Sequence, residues 1–408
     1  MRFNTADDAA NWLMSLKSKT DLPHFKAILD EMAIPYAKLP CIHVTGTNGK
    51  GSTINYLRHM LEAAGYTVGT FTSPYIICHQ DRFCINGKMI SDEDFTALVN
   101  RYSQDIEKYH LSMFESDVLL MLVYFLEKKV DLAMIEVGIG GRNDKTNVVH
   151  PMASVITNIG NDHLRQIGPT LADVAYQKAG IIKDHMPVYI GEMPADLQAV
   201  IAKEAALHHS ELHVCHPPEA DASLCFDYLG MNHLQLASVG AYQVKNACLA
   251  IQIIRDLFPA VSEEAIRTGL QTAVWPGRFE HFTVDGKDVY LDGAHNTDAF
   301  EALFDAVAKV KNHRQVTMIY AALKDKDYEK MAVSILDKGY VLRVCQFEDS
   351  RALTKDQAAT IHAMAFDASI EAAIAAIKNI EGMIVVCGSL HFISQFRMKL
   401  LEKNCNLS

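Results

Sequence analysis

Residues 43–53 read HVTGTNGKGST and contain the residue types that bind phosphate. Gly46, Gly49 and Gly51 allow a tight turn with close approach of the backbone to a ligand, and Lys50 adds a positive charge. The segment follows an apolar run and precedes a helical pattern, so its N–H groups would lie at a helix N-terminus, where anions bind. An ordinary turn between a strand and a helix is the alternative, but three glycines and a lysine favour nucleotide binding.

The spacing of this segment differs from the common phosphate-binding pattern G-x-x-x-x-G-K-[ST]. Val44 stands where the first glycine belongs, and Gly51 stands where the pattern has a hydroxyl residue that binds magnesium. We therefore expect the metal-binding hydroxyl to come from another part of the chain.

Other residues that could do chemistry follow short apolar runs of the kind that form buried strands. Glu136 ends such a run, and a carboxylate beside a phosphate loop is suited to Mg²⁺, although an acid that caps a turn is the alternative. His163 follows a strand pattern, but a lone histidine is more often a hydrogen-bonded structural residue. By themselves, Lys178 would be a solvated charge on a helix and DGAHN at 292–296 would be a turn.

The run TGTNGKGST resembles the loop of the ATP-dependent amide-forming ligases related to the murein peptide ligases. Its glycine after the lysine resembles the folylpolyglutamate synthase and dihydrofolate synthase branch. In that family a serine from a second loop binds the first magnesium, and the matching sequence FTSPY makes Ser73 the candidate. MIEVGIGGR, NDH and QKAGI resemble further family motifs. They imply that Glu136 binds magnesium, that His163 binds a second magnesium, and that Lys178 is a carbamylated metal ligand.

The resemblance also implies an ATP site that is assembled from several motifs. The predicted ATP contacts are Thr47, Asn48, Gly49, Lys50, Gly51, Ser52, Asn246 in YQVKNA, Arg278 in WPGRF and Asp292 in DGAHN. In the family the aspartate of DGAHN binds the ribose and its histidine, here His295, points towards the phosphates across a domain cleft. The catalytic candidates are Lys50, Lys178 and His295. The implied cofactors are Mg²⁺ with ATP, and K⁺ is a further candidate.

The acceptor side of the family pattern matches less closely. The candidates for folate binding are Arg82, Ser112, Phe114 and Asp144. Phe114 lies in SMFE, where the family often has T-Y-F-E, and its ring could stack on a flat pterin. Asp144 is retained after GGR, but Asn143 and Lys145 replace an apolar and a small residue, and DLPH at 21–24 lacks an expected glycine. The sequence leaves open which pterin carrier, or which other acidic acceptor, is preferred.

The composition is that of a folded globular protein, because 49% of the 408 residues are hydrophobic and 21% are charged. The net charge of −11 argues against a nucleic-acid-binding surface. Nine cysteines without a C-x-x-C pair predict neither a zinc site nor a disulfide scaffold. The acidic N-terminus is unlike a signal peptide, and the longest apolar run, residues 118–126, is shorter than the ~20 residues of a membrane span. We expect a cytoplasmic monomer with small-molecule substrates and no nucleic-acid or membrane partner.

Strand and helix patterns alternate along most of the chain, which predicts an α/β fold with mostly parallel sheets covered on both faces. The predicted strands are 42–46, 67–71, 132–137, 153–159, 289–291, 316–320, 341–346 and 384–386, and the predicted helices are 52–64, 117–128, 171–179 and 242–257. The length favours two domains. We place an ATP- and folate-binding domain, resembling P-loop ATPases, at 1–283 and a smaller Rossmann-like glutamate-ligase domain at 284–408.

Together these features predict an ATP- and Mg²⁺-dependent ligase that adds L-glutamate to the γ-carboxylate of folates through an acyl phosphate. Dihydrofolate synthase activity from dihydropteroate is an open addition. A murein-type peptide ligase is one alternative; since the phosphate loop lies within the first 50 residues, we expect no separate domain for a UDP-sugar. A nucleotide-binding regulator without ligase activity is the other, but it would have little need for the metal ligands.

Overall fold

The computed structural model describes residues 2–18, 20–161, 167–219, 225–237, 240, 242–324, 326–403 and 406–407, the last two by their backbone alone. The chain divides into two compact units. The first is built mainly from residues up to Ala273, and the second mainly from Val274 onward, with Tyr242–Val244 also in the second.

The first unit is organised around an eight-stranded sheet in the order β4-β3-β2-β5-β1-β6-β7-β8. Its strands are β1 (Cys41–Thr45), β2 (Val68–Phe71), β3 (Phe83–Ile85), β4 (Lys88–Met89), β5 (Leu132–Glu136), β6 (Ala153–Ile156), β7 (Val188–Ile190) and β8 (Leu212–Val214). Neighbouring strands pair in parallel along the series β2, β5, β1, β6, β7 and β8, whereas β3 and β4 form an antiparallel edge beside β2. In a parallel sheet all carboxyl ends lie at one edge, which is where ligands bind.

Helices and short 3₁₀ helices connect the strands of this part of the chain. They are α1 (Ala6–Ser15), α2 (Leu22–Glu31), α3 (Lys50–Ala63), α4 (Asp92–Lys108), α5 (Met113–Lys128), α6 (Leu171–Ala179), α7 (Ala195–Leu207), α8 (Tyr242–Leu257) and α9 (Glu263–Thr272). Short 3₁₀ helices lie at Tyr36–Lys38, His79–Arg82 and Lys145–Val148, and β9 (Cys225–Tyr228) pairs with β10 (Met231–Gln235). A capping box at Ser112 starts α5, which is apolar on nearly every face and lies in the core with α1 and α4.

The second unit has a seven-stranded sheet in the order β15-β14-β13-β16-β12-β11-β17. Its strands are β11 (Glu280–Val284), β12 (Lys287–Leu291), β13 (Val316–Tyr320), β14 (Val341–Cys345), β15 (Ala365–Asp367), β16 (Met383–Cys387) and β17 (Asn406–Leu407). Its helices are α10 (Thr297–Val310), α11 (Tyr328–Asp337), α12 (Lys355–Thr360), α13 (Ile370–Ala376) and α14 (Leu390–Glu402), with a 3₁₀ helix at Ile377–Asn379. The strands from β15 to β12 pair in parallel, and apolar clusters cover both faces.

The prediction of an α/β fold with largely parallel sheets is confirmed, but the structure corrects several element boundaries; the helix predicted at 117–128, for example, begins at Met113. β11 pairs antiparallel with β12 over its whole length and lies with it in the second compact unit, while the domain limits 1–283 and 284–408 stay a prediction. The strand predicted at 153–159 ends at Ile156, because the next residues turn to contact the loop after β1. No helix in the described parts of the chain is long and apolar enough to cross a lipid bilayer.

Candidate active site

The glycine-rich loop joins the carboxyl end of β1 to the first turn of α3, as the sequence predicts. Gly49 precedes the helix with a φ of +83° and, as a glycine, has no side chain to cap the N-terminus of α3. A β-carbon on Gly49 would lie 2.4 Å from Oδ1 of Asn246, so the asparagine lies directly against the loop. The structure therefore brings the predicted ATP-binding residue Asn246 to a helix N-terminus of the kind that binds anions.

A second loop, directly after β6, holds the glycine-rich loop in place. Oδ1 of Asn158 accepts hydrogen bonds from the backbone N–H groups of Thr47 (3.1 Å) and Asn48 (2.8 Å). Oγ1 of Thr157 donates to the carbonyl of Asn48 at 2.6 Å, and it lies 1.8 Å from where a β-carbon on Gly46 would be. The N–H groups of Thr47 and Asn48 therefore have partners within the chain. Sequence reasoning missed Thr157 and Asn158, whose only signal is a polar pair directly after a buried strand.

Lys50, Glu136 and Ser73 meet at the carboxyl edge of the sheet. Nζ of Lys50 lies 3.6 Å from Oε1 of Glu136, and the backbone N–H of Ser73 donates to Oε2 of the same carboxylate at 3.2 Å. Nζ of Lys50 also donates to the carbonyl of Gly46 at 3.1 Å. The register explains the meeting, because Val44 of β1 pairs with Glu136 at the end of β5, and Ser73 follows the neighbouring strand β2.

This group fits a divalent cation by its donor chemistry. Glu136 is 5% exposed, and its carboxylate and the hydroxyl of Ser73 are hard oxygen donors of the type that Mg²⁺ and Mn²⁺ prefer. No cluster of three or more His, Cys, Asp or Glu side chains that could hold a metal occurs among the described residues. A cation at Glu136 would therefore take ligands from outside such a cluster, among them the serine hydroxyl and substrate oxygens. The predicted ligand His163 lies outside the described residues.

Lys178 lies in the last turn of α6 and is 4% exposed, so the interpretation as a solvated helix charge is wrong. The backbone around it is fixed to the loop that follows Glu136. The N–H of Arg142 donates to the carbonyl of Gln177 at 2.8 Å, and a β-carbon on Gly141 would lie 3.0 Å from the carbonyl oxygen of Lys178. At Gly141 this packing leaves no space for a side chain.

Two of the four predicted folate-binding residues, Phe114 and Asp144, meet at Gly138. A β-carbon on Gly138 would lie 2.7 Å from Cζ of Phe114 and 3.0 Å from Oδ2 of Asp144. Burial raises the pKa of Asp144, while hydrogen bonds from Thr146 and from the backbone N–H of Ile139 oppose the shift. An aromatic ring and a buried carboxyl group therefore line the same glycine.

The other two predicted folate-binding residues have clear roles within the chain. Oγ of Ser112 donates to Oε2 of Glu115 at 2.7 Å as part of the capping box that starts α5. Arg82 is buried, with Nε 3.7 Å from Oδ2 of Asp117 and its guanidinium over the ring of Tyr75. Contact of Ser112 and Arg82 with folate stays a prediction.

In the second unit, Asp292 organises the loop after β12. Its Oδ2 accepts hydrogen bonds from the hydroxyl of Tyr242 (3.0 Å) and from the N–H of Phe279 (2.9 Å), and its Oδ1 accepts from the N–H of Ala294 (2.9 Å). Burial raises the pKa of Asp292, and the positive charge of Arg278 opposes the shift. Both oxygens of Asp292 are thus held by its own unit.

Arg278 and His295 flank the same loop. Nη1 of Arg278 lies 2.4 Å from where a β-carbon on Gly293 would be. Nδ1 of His295 lies 2.8 Å from the carbonyl oxygen of Gly293, which can only accept, so Nδ1 carries a proton. The structure thus brings together the predicted residues Arg278, Asp292 and His295.

Comparison with known proteins places these sites in a family. The chain matches the Mur ligase middle domain over residues 44–254 and the Mur ligase glutamate ligase domain over residues 277–390. It is 34% identical to a dihydrofolate synthase/folylpolyglutamate synthase of Bacillus subtilis, with 98% of this chain and 100% of the relative covered.

Two solved structures resemble the chain along nearly its whole length. An FPGS–AMPPCP–folate complex has a TM-score of 0.84 at 30% identity and covers 98% of this chain and 100% of its own. A bifunctional folylpolyglutamate synthase/dihydrofolate synthase with Mn, AMPPNP and L-glutamate bound has a TM-score of 0.85 at 27% identity and covers 98% of both chains. The chain belongs to the folylpolyglutamate synthase and dihydrofolate synthase family of Mur ligases.

Proposed function

We propose that this protein is an ATP-dependent ligase that joins L-glutamate to the γ-carboxylate of folates. The observation that carries the proposal is the meeting of Lys50, Glu136 and Ser73 beside the N-terminus of α3. It supplies a cation, a metal-binding carboxylate and backbone N–H groups at one point, which is what transfer of a phosphoryl group requires. The ligands of the relatives, an ATP analogue with folate and another with Mn and L-glutamate, support the same substrates.

The divalent cation of this reaction is Mg²⁺, and Glu136 and Ser73 would hold it. When bound, the cation supplies positive charge to the phosphate oxygens. Lys50 is the first residue of α3 and neutralises the γ-phosphate, while the first N–H groups of the helix face the phosphate chain. Nζ of Lys50 lies within ion-pair distance of the buried carboxylate of Glu136. A metal ion bound to Glu136 would balance that negative charge and so leave Lys50 available to phosphate.

The remaining predicted residues have the roles that the family resemblance implies. Asn246 positions the nucleotide against Gly49, and Arg278 and Asp292 add contacts to phosphate and ribose. His295 points towards the phosphates, as the family resemblance implies, and the carbonyl of Gly293 holds its Nδ1. Lys178, carbamylated on its buried amine, and His163 complete the metal ligands; K⁺ is a further ion of the site. The protein acts as a cytoplasmic monomer.

The reaction proceeds in two transfers. An oxygen of the acceptor carboxylate attacks the γ-phosphorus of ATP, the bond to the β-phosphate oxygen breaks, and ADP and an acyl phosphate result. The amine of L-glutamate then attacks the acyl carbon, loses a proton, and expels inorganic phosphate to leave an amide. Positioning and charge stabilisation supply most of the rate in such transfers.

Phe114 and Asp144 bind the pterin end of the acceptor. The ring of Phe114 offers a stacking surface, and the carboxyl group of Asp144 is fixed beside it at Gly138. Dihydropteroate carries the same ring system as folate, so dihydrofolate synthase activity belongs to the proposal. The relative from Bacillus subtilis bears both names.

The test is whether ADP release depends on both an acceptor and glutamate. We expect ADP formation only with ATP, Mg²⁺, L-glutamate and tetrahydrofolate or dihydropteroate together, and incorporation of radiolabelled glutamate into the acceptor. Release with ATP alone would favour a regulator or a simple ATPase. Activity with a UDP-linked peptide and none with folates would favour a murein-type ligase.

A further inference from the structure

Three separate segments of the chain meet at one buried carboxylate, Glu115. It accepts hydrogen bonds from the N–H (3.0 Å) and hydroxyl (2.6 Å) of Thr20 and from the N–H (2.8 Å) and hydroxyl (2.7 Å) of Ser112. Nζ of Lys145 lies 3.0 Å from its Oε1 and also donates to the carbonyl of Thr20. The side chain of Glu115 is fully buried, and that of Lys145 is 7% exposed.

The Glu115–Lys145 pair lies next to the two residues that meet at Gly138. Glu115 directly follows Phe114 on α5, and Lys145 directly follows Asp144 at the start of the 3₁₀ helix. The ion pair therefore joins the two segments that carry the ring and the carboxyl group, one residue away from each. It also ties both segments to Thr20, at the end of the chain segment that leads into α2.

The surroundings of Glu115 favour its charged form. Burial alone would raise the pKa of Glu115, but the hydrogen bonds from Thr20, Ser112 and Lys145 hold it below its ordinary value. An ion pair in a protein interior adds little stability compared with two apolar side chains of similar volume. A buried pair held this tightly is better explained by the geometry that it imposes than by the stability that it adds.

The members of this network lie where the chain departs from the family pattern. Ser112 belongs to SMFE, Lys145 replaces a small residue after the GGR sequence, and Thr20 immediately precedes DLPH. In the sequence these three departures are unrelated. In the structure Ser112 and Lys145 contact one carboxylate, which also accepts from Thr20, the residue before the third departure.

We propose that the Glu115–Lys145 pair is a specificity-determining device that sets the distance between Phe114 and Asp144, and thereby decides which pterin acceptor is used. The inference rests on the proposed function, because it takes Phe114 and Asp144 as the acceptor site. Neither charge touches the acceptor; both act by positioning their neighbours. The pair affects the binding and use of the acceptor and leaves the binding of ATP and glutamate unaffected.

The test replaces both charges at once. Single replacements leave a buried charge without its partner and endanger folding, whereas Lys145→Met with Glu115→Gln removes the pair at similar volume. We compare KM and kcat for tetrahydrofolate, dihydropteroate, ATP and L-glutamate with those of the unaltered enzyme. The ratio of kcat/KM for the two acceptors should change about tenfold or more, while the KM values of ATP and glutamate stay within about twofold.

A matched control removes another lysine that holds the same 3₁₀ helix. Nζ of Lys183 donates to the carbonyl (2.9 Å) and to Oδ1 (2.8 Å) of Asn147. Lys183→Met should leave the acceptor ratio unchanged. An equal change of the ratio in Lys183→Met, or an equal rise of all KM values in the double variant, would overturn the proposal.

A second variant covers the case in which the double variant does not fold. Lys145→Arg keeps the charge but is longer and has a planar head group, so it changes the spacing without leaving Glu115 unpaired. It should also shift the acceptor ratio, and an unchanged ratio in a folded Lys145→Arg protein would overturn the proposal. Failure of the unaltered enzyme to require any folate for ADP release would instead overturn the proposed function, and this inference with it.

Discussion

Replacing Gly49 with alanine tests the nucleotide site through a single methyl group. Gly49 has a φ of +83°, and the added β-carbon would lie 2.4 Å from Oδ1 of Asn246. The asparagine or the loop must therefore move, and the first N–H groups of α3 move with the loop. Gly49→Ala should weaken binding of ATP.

The cost of the substitution has two parts that can be separated. An alanine held in the left-handed region costs about 1–2 kcal/mol of folding stability. Loss of one hydrogen bond to a charged phosphate costs a further ~1.5–3 kcal/mol of binding, which is about 10- to 150-fold in Kd. Gly65, just after the other end of α3, has a φ of +90° and nothing within 4 Å of an added β-carbon. Gly65→Ala therefore reproduces the first cost without the second.

The two variants are compared by thermal unfolding and by calorimetric titration with AMPPNP and Mg²⁺. Both melting temperatures should fall by a similar few degrees. Only Gly49→Ala should bind the nucleotide at least about tenfold more weakly. Equal affinities in the two variants would refute the placement of phosphate against Gly49.

Three further predictions concern charged and titratable residues near this edge of the sheet. Lys50→Ala should lower ADP formation by about 100-fold or more with the fold intact by circular dichroism, and normal turnover would refute its role. Glu136→Gln should raise the Mg²⁺ concentration for half-maximal rate at least about tenfold, and an unchanged Mg²⁺ dependence would exclude it as a ligand. Burial lowers the pKa of His43 from 6.5 to about 3, so below pH 6.5 the unfolded chain binds a proton that the folded chain does not. Because of His43, the free energy of unfolding should therefore fall by about 1.4 kcal/mol per pH unit as pH falls from 6.5 towards 3. His43→Gln should abolish this pH dependence, measured as the difference between the free energies of unfolding from urea titrations at pH 7 and pH 5. An identical pH dependence in the variant and the unaltered protein would contradict the pKa shift.

The parts of the fold that could be predicted from sequence are those with strong local patterns. The helices Leu171–Ala179 and Tyr242–Leu257 and the strand Val316–Tyr320 have the predicted limits, because apolar periodicity and end signals agree there. The antiparallel pair β3 and β4 was not predicted. Such short strands are stabilised by their pairing at the sheet edge, which a single sequence does not reveal.

The residues of the candidate site also fall into two groups: those that a local sequence pattern identifies and those that only contacts between distant segments place. Lys50 and Glu136 are identifiable because residue type, glycines and a preceding strand coincide within a few positions. Burial of Lys178 depends on the loop after β5 packing on α6, and the support that Asn158 gives depends on β6 lying next to β1. These contacts join residues distant in sequence, and no local pattern encodes them.

The order of strands in the sheet, more than any one loop, determines which residues meet. β2, β5, β1 and β6 are consecutive neighbours and parallel, so the residues that follow them share one edge. Ser73 follows β2, Glu136 ends β5, Lys50 follows β1 and Asn158 follows β6, and each contacts a residue from a neighbouring position in this series. Three strand spacings of about 4.8 Å separate the first from the last, so the four loops lie within about 14 Å. β2 lies on the far side of β5 from β1, so Ser73 reaches the carboxylate of Glu136 from a different strand than Lys50 does.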